Sequence, residues 1–219
     1  MKNSLKNLKV RRKGQIIDET AKISSTAVIY PNVIIRGVCV IESGVKIYPG
    51  SVIVDSKISK NTIIKSSYIE KCELGANNVV GPFANVCAGT VTAKNVKIGA
   101  FSEVQKAVIY SNVCVGASCS IKDCVINKET LINSHTVFAN FNGKISQKIR
   151  IGEHNFIGAN STLTAPITTL SNVYVNANTL LNEDVGDFGF VSSKKITGVR
   201  VIKNKIYWQK KSRTSEILK

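Results

Sequence analysis

Few side chains in this chain of 219 residues could do thiol, metal or acid–base chemistry, and their spacing limits what they could do. There are six cysteines, at 39, 72, 87, 114, 119 and 124, and two histidines, His135 and His154. Structural zinc sites draw four such ligands from closely spaced pairs, yet no two cysteines form a C-x-x-C pair. No metal is therefore expected. Nor does an apolar leader follow the basic, polar residues 1–13. The thiols are expected to stay reduced and to serve as small buried hydrophobes, with metal ligation the alternative. His154 follows Gly152 in a stretch that reads as a tight corner, and is expected to be exposed.

The net charge of +16 raises the question of an anionic partner. Residues 1–14 carry six Lys/Arg and no acid, and residues 194–219 carry nine Lys/Arg against Glu216 alone. Between them, fifteen basic and thirteen acidic residues leave +2, so the two ends hold +14 of the +16. Such ends act as solvated tails, or attract an anionic small molecule, nucleic acid or a membrane surface without specificity. No zinc-finger spacing or aromatic-rich RNA-binding signature indicates a dedicated nucleic-acid module. Apolar residues make up 43% of the chain, which suits a globular protein, and no apolar run approaches the ~20 residues of a membrane span. A cytoplasmic, β-rich protein is expected.

The elements that must position any site are set by an internal repeat. An aliphatic residue recurs every six positions through Ile23, Ile29, Ile35, Ile41, Ile47 and Ile53. Some spacings shorten to five through Ile58, Ile64, Ile69, Leu74, Val80 and Val86, and the run continues from Thr92 to Phe138. After residues 142–150 it resumes at Ile151 and ends at Leu181. A period of six fits neither a helix nor a hairpin meander. It does fit short flat strands joined by tight corners, three to a turn, with each aliphatic residue pointing into a triangular prism. Twenty-seven units then make about nine coils. Gly50, Asn61, Gly89 and Asn112 suit corners that need positive φ. The predicted fold is all-β, a left-handed parallel β-helix over residues 15–186. A basic N-terminal segment (1–14) precedes it and a basic C-terminal extension (187–219) follows, with a short hairpin expected over 199–207. The polar insertion NGKISQKIR (142–150) is too long for a corner, and is either part of a binding face or a tolerated surface loop.

Specific strings carry the reading further. Val80-Gly81-Pro82-Phe83-Ala84, IYPNV (29–33), SEVQKA (102–107), NFNGK (140–144), FIGAN (156–160) and TAPI (164–167) run in order along the repeat. Together they resemble the C-terminal acetyltransferase domain of the bifunctional glucosamine-1-phosphate N-acetyltransferase/N-acetylglucosamine-1-phosphate uridylyltransferase family, a hexapeptide-repeat acyltransferase family. No Gly-rich nucleotide loop precedes the repeat, so uridylyl transfer is not expected. The resemblance implies a homotrimer with acyl-CoA and sugar-phosphate sites between neighbouring subunits. It also implies attack of an amine on acetyl-CoA, aided by a histidine base, by basic residues on the phosphate and by backbone donors to the oxyanion.

Residue by residue, the implied chemistry is incomplete. The catalytic histidine of the resembled family falls on Ala117, its phosphate-binding arginine on Cys87 and its phosphate-binding lysine on Gln105. A substrate tyrosine falls on Ser120, a substrate asparagine on Leu131 and the lysine of the inserted loop on Ser146. On the cofactor side, Asn140 and Phe141 match an Asn–aromatic pair beside the thioester. Ala159 and Ala177 match small residues along the pantetheine arm, and Lys194 stands where an arginine meets the CoA phosphates. Asn and small residues are also what corners of the repeat require. His135 is expected one coil along the edge from Ala117, either as a substitute base or as an ordinary corner residue. The γ-class carbonic anhydrases share this fold but need three zinc histidines, which two per chain argue against. Two function classes stay open, a CoA-dependent acyltransferase and a catalytically silent β-helix used for binding or assembly.

Overall fold

The computed structural model describes residues 8–11 and 14–193, and every regular element in them is a β-strand. The hairpin expected at 199–207 lies outside the described residues. The aliphatic repeat forms three parallel ladders, one on each face of a prism. On the first face Ile17 pairs with Ile35, and the ladder climbs through Ile53, Ile69, Val86 and Val104 to Ile121. The second climbs from Ile41 through Ile58, Leu74, Thr92, Ile109 and Ile126 to Ile151 and Thr169. The third runs from Ile29 to Ile47, and reaches Ile157, Val175 and Val191 at its far end. The fold is a left-handed parallel β-helix, and its ladder residues form one continuous core.

The described residues form ten coils, one more than the repeat counts. Ile17 opens a coil one six-residue step ahead of Ile23, and Val185 and Val191 complete one after Leu181. Val185 sits four residues after Leu181, a spacing that the period of six does not register. The strand Leu8–Arg11, within the segment expected to precede the coil, lies antiparallel to Gln15–Asp18 and covers the open edge of the first coil.

Corners and interior follow from size and dihedral angle. The residue four positions after a third-face aliphatic turns inward past the corner, where the prism is narrow. Ser51, Ala84, Ser102, Cys119, Thr136, Ser161 and Thr179 occupy this position, all buried. The expected corners at Gly50, Asn61, Gly89 and Asn112 take φ of 75°, 58°, 79° and 62°. Gly116 is required by proximity, because a Cβ there would lie 2.5 Å from the Ser134 backbone nitrogen of the next coil.

Two core positions are polar, Thr92 and Thr169, and the fold accommodates both in one way. A buried asparagine at the inward corner position of the coil below donates to the threonine hydroxyl. Asn78 Nδ2 reaches Thr92 Oγ1 at 2.5 Å, and Asn155 Nδ2 reaches Thr169 Oγ1 at 2.7 Å. Each asparagine Oδ1 accepts a backbone N–H of the following corner, from Val96 and from Val173, both at 2.7 Å.

The cysteines are free thiols, and four of them, Cys39, Cys72, Cys119 and Cys124, are buried core residues. Burial pushes the Cys72 thiol up to about 12 and raises Cys124 as well. A raised thiol pKa lowers the thiolate fraction at any pH below it, so these groups are slow nucleophiles at pH 8. Titration with Ellman's reagent at pH 8 is expected to give faster reaction at the half-exposed Cys87 and Cys114 than at the four buried thiols, though slower than a free thiol because burial raises both, and six thiols after unfolding. Six fast thiols in the folded protein would contradict this packing.

Candidate functional site

The inserted segment forms a small hairpin on the corner between the first and second faces. Phe141 and Ser146 make an antiparallel bridge, and Gly143 takes φ of 94° at the turn. Asn142 Oδ1 accepts the backbone N–H groups of Lys144 and Ile145, each at 3.0 Å. The Asn142-Gly143 pair is a strong hairpin signal, and the sequence reading took it only as part of a polar insertion. Asn140 closes the base of the hairpin. Its Nδ2 donates to Gln147 O at 2.8 Å and to Asp123 O at 3.1 Å, while its carbonyl accepts Gln147 N at 2.8 Å. Its Oδ1 is buried without a hydrogen-bond donor.

Beneath the hairpin lies a cavity of about 320 Å³, at the low end of the ~300–1,000 Å³ of small-molecule sites. It gathers Asn140 and Phe141 with Gln105, Ser120 and Ser146, five residues that the resemblance places in one reaction site. Phe141 presents its ring to solvent, 67% exposed. The walls also hold Lys106, Lys122 and Asp123, which the sequence reading missed. Their signal is the register. Lys122 pairs with Gln105 across adjacent coils, seventeen residues on, because one step of that coil is shortened to five. Lys122 Nζ lies 2.9 Å from Glu103 Oε2, Gln105 Nε2 donates to Glu103 Oε1 at 2.6 Å, and Ser146 Oγ lies 3.2 Å from Asp123 Oδ2.

Cys87 sits one coil below Gln105 on the same row. Burial first, then the nearby Glu103 and Glu70 carboxylates, push its thiol up, so it is not an activated nucleophile.

The remaining implied residues lie elsewhere. Ala117, His135, Ala159 and Ala177 follow one another along the corner between the third and first faces. His135 N donates to Ala117 O at 2.9 Å, which places the histidine one coil above, as expected, with an exposed side chain and φ of 62°. Asn178 N donates to Ala159 O at 2.8 Å on the same corner. Leu131 points outward from the third face. A face about six residues wide, ~20 Å at most, separates this corner from the cavity. One chain therefore does not gather the whole implied site. Lys194 lies outside the described residues. His154 departs from expectation: it is half-buried, its Nδ1 3.0 Å from Glu129 Oε2, because Glu129 stacks directly beneath it on the corner between the second and third faces. Among the described residues, no three His, Cys, Asp or Glu side chains cluster as a metal site would, and no helix is long and apolar enough to cross a membrane.

Comparison with known proteins agrees with this architecture. A family model described as GlmU-like, C-terminal hexapeptide matches residues 87–141, and one described as the GMPPB C-terminal domain matches residues 12–112. The bifunctional protein GlmU of Clostridium acetobutylicum is 33% identical over 182 residues, 82% of this chain and 40% of the relative. That of Carboxydothermus hydrogenoformans is 39% identical over 169 residues, 77% of this chain and 38% of the relative. The chain thus spans about two fifths of the length of the relatives it matches. Among solved structures, a UDP-N-acetylglucosamine acyltransferase from Campylobacter jejuni shares the fold at a TM-score of 0.51 and 18% identity, over 91% of this chain and 83% of that one. The Francisella novicida UDP-N-acetylglucosamine acyltransferase does so at 0.52 and 14% identity, over 81% and 64%. The chain carries an acetyltransferase-like hexapeptide-repeat β-helix, similar in sequence to the C-terminal hexapeptide domain of GlmU.

Proposed function

We propose that this protein is an acetyl-CoA-binding, N-acetyltransferase-like homotrimer whose acceptor side has departed from the parental chemistry. The observation that supports it best is the hairpin. Asn140 is held rigid by two donated hydrogen bonds, beside an exposed Phe141 and a cavity of the size of a small-molecule site. Asn140 and Phe141 take the thioester end, Ala159 and Ala177 leave room along a corner for the pantetheine arm, and Lys194 meets the CoA phosphates. Because the hairpin and the His135 corner are a face apart in one chain, the complete site belongs to the boundary between two copies. His135 is then the candidate substitute base.

Threefold assembly has its own support. The outward row of the third face carries the half-buried Ile63, Val79, Leu131, Phe156, Tyr174 and Phe190. The last three rings stack at 4.6 and 5.6 Å. Such a row favours burial against a second copy. Light scattering is expected to give about three times the 23.7 kDa chain mass, and a monomer at micromolar concentration would overturn the assembly.

Calorimetric titration tests the reading directly. Acetyl-CoA is expected to bind, and Phe141→Ala to weaken it about tenfold, some 1.4 kcal/mol. The affinity should fall as salt rises, since exposed charges are screened beyond ~8–10 Å, and Lys194→Glu should cost more than Lys57→Glu on the body. The second reading, a silent binding or assembly subunit, is favoured by Ala117, Cys87 and Gln105 standing at the catalytic and phosphate-binding positions. It prevails if acetyl-CoA does not bind at millimolar concentration.

A further inference from the structure

One asparagine is poised to react with its own backbone. Asn142-Gly143 is the sole Asn-Gly pair of the chain, and it forms the exposed tip of the inserted hairpin. An asparagine amide is labile wherever the next backbone nitrogen can reach its Cγ, and glycine leaves that nitrogen unhindered. Here the side chain folds back over that nitrogen. Its Oδ1 accepts Lys144 N and Ile145 N, each at 3.0 Å, and the ring closed by the first of these bonds contains both Asn142 Cγ and Gly143 N. Two donors on Oδ1 also draw electrons away from Cγ. Among the described residues, no hydrogen bond ties the Gly143 N–H or Asn142 Nδ2. The attacking atom and the leaving group are both free. A Cβ built on Gly143 would meet nothing within 4 Å, so the tip has room to change shape.

The asparagines of the coils differ on these counts. Asn32, Asn95, Asn112 and Asn172 stand at positive-φ corners with a valine next, whose branched side chain shields the nitrogen. In the described residues two asparagines precede a serine, Asn133 and Asn160. They commit Nδ2 to Ile157 O and to Asn178 Oδ1, each at 3.0 Å.

We propose that Asn142 is a site of covalent self-modification, at which the hairpin converts its own tip to aspartate and isoaspartate. Hydroxide takes the proton of the Gly143 N–H, and the nitrogen attacks Asn142 Cγ. The N–Cγ bond forms, the Cγ–Nδ2 bond breaks, and Nδ2 leaves as ammonia with a proton from water. A succinimide ring remains. Water then opens the ring at Cγ to give aspartate, or at the Asn142 carbonyl carbon to give isoaspartate. Nothing is oxidised or reduced. Either product puts a carboxylate next to Phe141, a wall residue of the cavity. Isoaspartate also routes the main chain through Cγ, which lengthens the tip by one carbon. The modified hairpin therefore opposes an anionic ligand, and its effect on acetyl-CoA rests on the acyl-CoA reading above.

Ageing of the full-length protein at pH 7 and at pH 9 tests the site, with circular dichroism to show that the fold persists. Peptide mapping by mass spectrometry locates each converted asparagine, and methylation by an isoaspartyl methyltransferase reports isoaspartate. Within residues 14–193 of the folded protein, Asn142 is expected to convert first, about tenfold faster for each unit of pH, in step with hydroxide. In urea Asn133 and Asn160 should join it, and Asn142→Gln should abolish conversion at the tip. A tip that stays intact in the folded protein while it converts in urea overturns the proposal, since the hairpin then protects it. Faster conversion at a corner asparagine overturns it as well. Acetyl-CoA titrated into fresh, aged and Asn142→Asp protein reads the consequence, and about threefold weaker binding to the last two is expected from one added exposed charge. Equal affinity in all three forms overturns that consequence. Conversion at Asn142 without acetyl-CoA binding in any form supports the modification site and fails the acyl-CoA reading alone.

Discussion

Acetyl transfer to glucosamine-1-phosphate is expected to run at least a hundredfold slower than in a relative that keeps its catalytic histidine, and to fall below detection in a thiol-release assay. Loss of a positioned general base typically costs ~10²–10⁴-fold. Ala117 has no group that can take a proton, and its backbone N–H is committed to Ser134 Oγ at 3.1 Å. The phosphate contacts are gone with it. Cys87 carries a thiol held neutral by burial, and Gln105 is bound to Glu103. Turnover within tenfold of such a relative would refute the expectation. Abolition of that turnover by His135→Ala would then identify the exposed imidazole one coil above as the base.

The largest effect on stability is expected at Asn155, whose side chain bonds no candidate site residue. It is fully buried, and both its N–H donors and its carbonyl oxygen are used within the protein. Nδ2 donates to Thr169 Oγ1 at 2.7 Å and to Leu170 O at 2.8 Å, and Oδ1 accepts Val173 N at 2.7 Å. Asn155→Ala leaves Thr169 Oγ1 and Val173 N without this bond inside the prism, and Leu170 O without it at the corner. At ~1–3 kcal/mol for each buried group left unpaired, a loss of about 3 kcal/mol or more follows. For a chain of this size that lowers Tm by roughly 6–12 °C. Adding Thr169→Val removes one of the stranded groups and should recover part of the loss, which a double-mutant cycle by calorimetry measures. A shift under 2 °C for Asn155→Ala would mean that water enters the prism and satisfies these groups.

The sequence by itself determined the solenoid. Where Ile23 to Ile53 repeat every six residues, only short strands bent at fixed corners bury all of them, and Asn61, Gly50 and Asn112 mark those corners because positive φ costs them little. It also led to small buried thiols, which holds for Cys39, Cys72, Cys119 and Cys124 but not for the half-exposed Cys87 and Cys114, whose side chains alternate outward on their strands. Periodicity did not count the last coil, because Val185 joins by backbone pairing only four residues after Leu181, whereas Ile17, six residues before Ile23, continues the period at the other end. It did not read Thr92 and Thr169 as one half of a buried pair, because Asn78 and Asn155 lie fourteen residues before them and meet them only when coils stack. The site divides in the same way. Local strings marked Asn140 and Phe141, and counting units placed His135 above Ala117. Only the tertiary structure put Lys122 beside Gln105 and bound both to Glu103, since that contact depends on the lateral register of three outward side chains on neighbouring coils. Only the tertiary structure set the His135 corner a full face away from the cavity, because a triangular cross-section holds successive corners apart however close they lie along the chain.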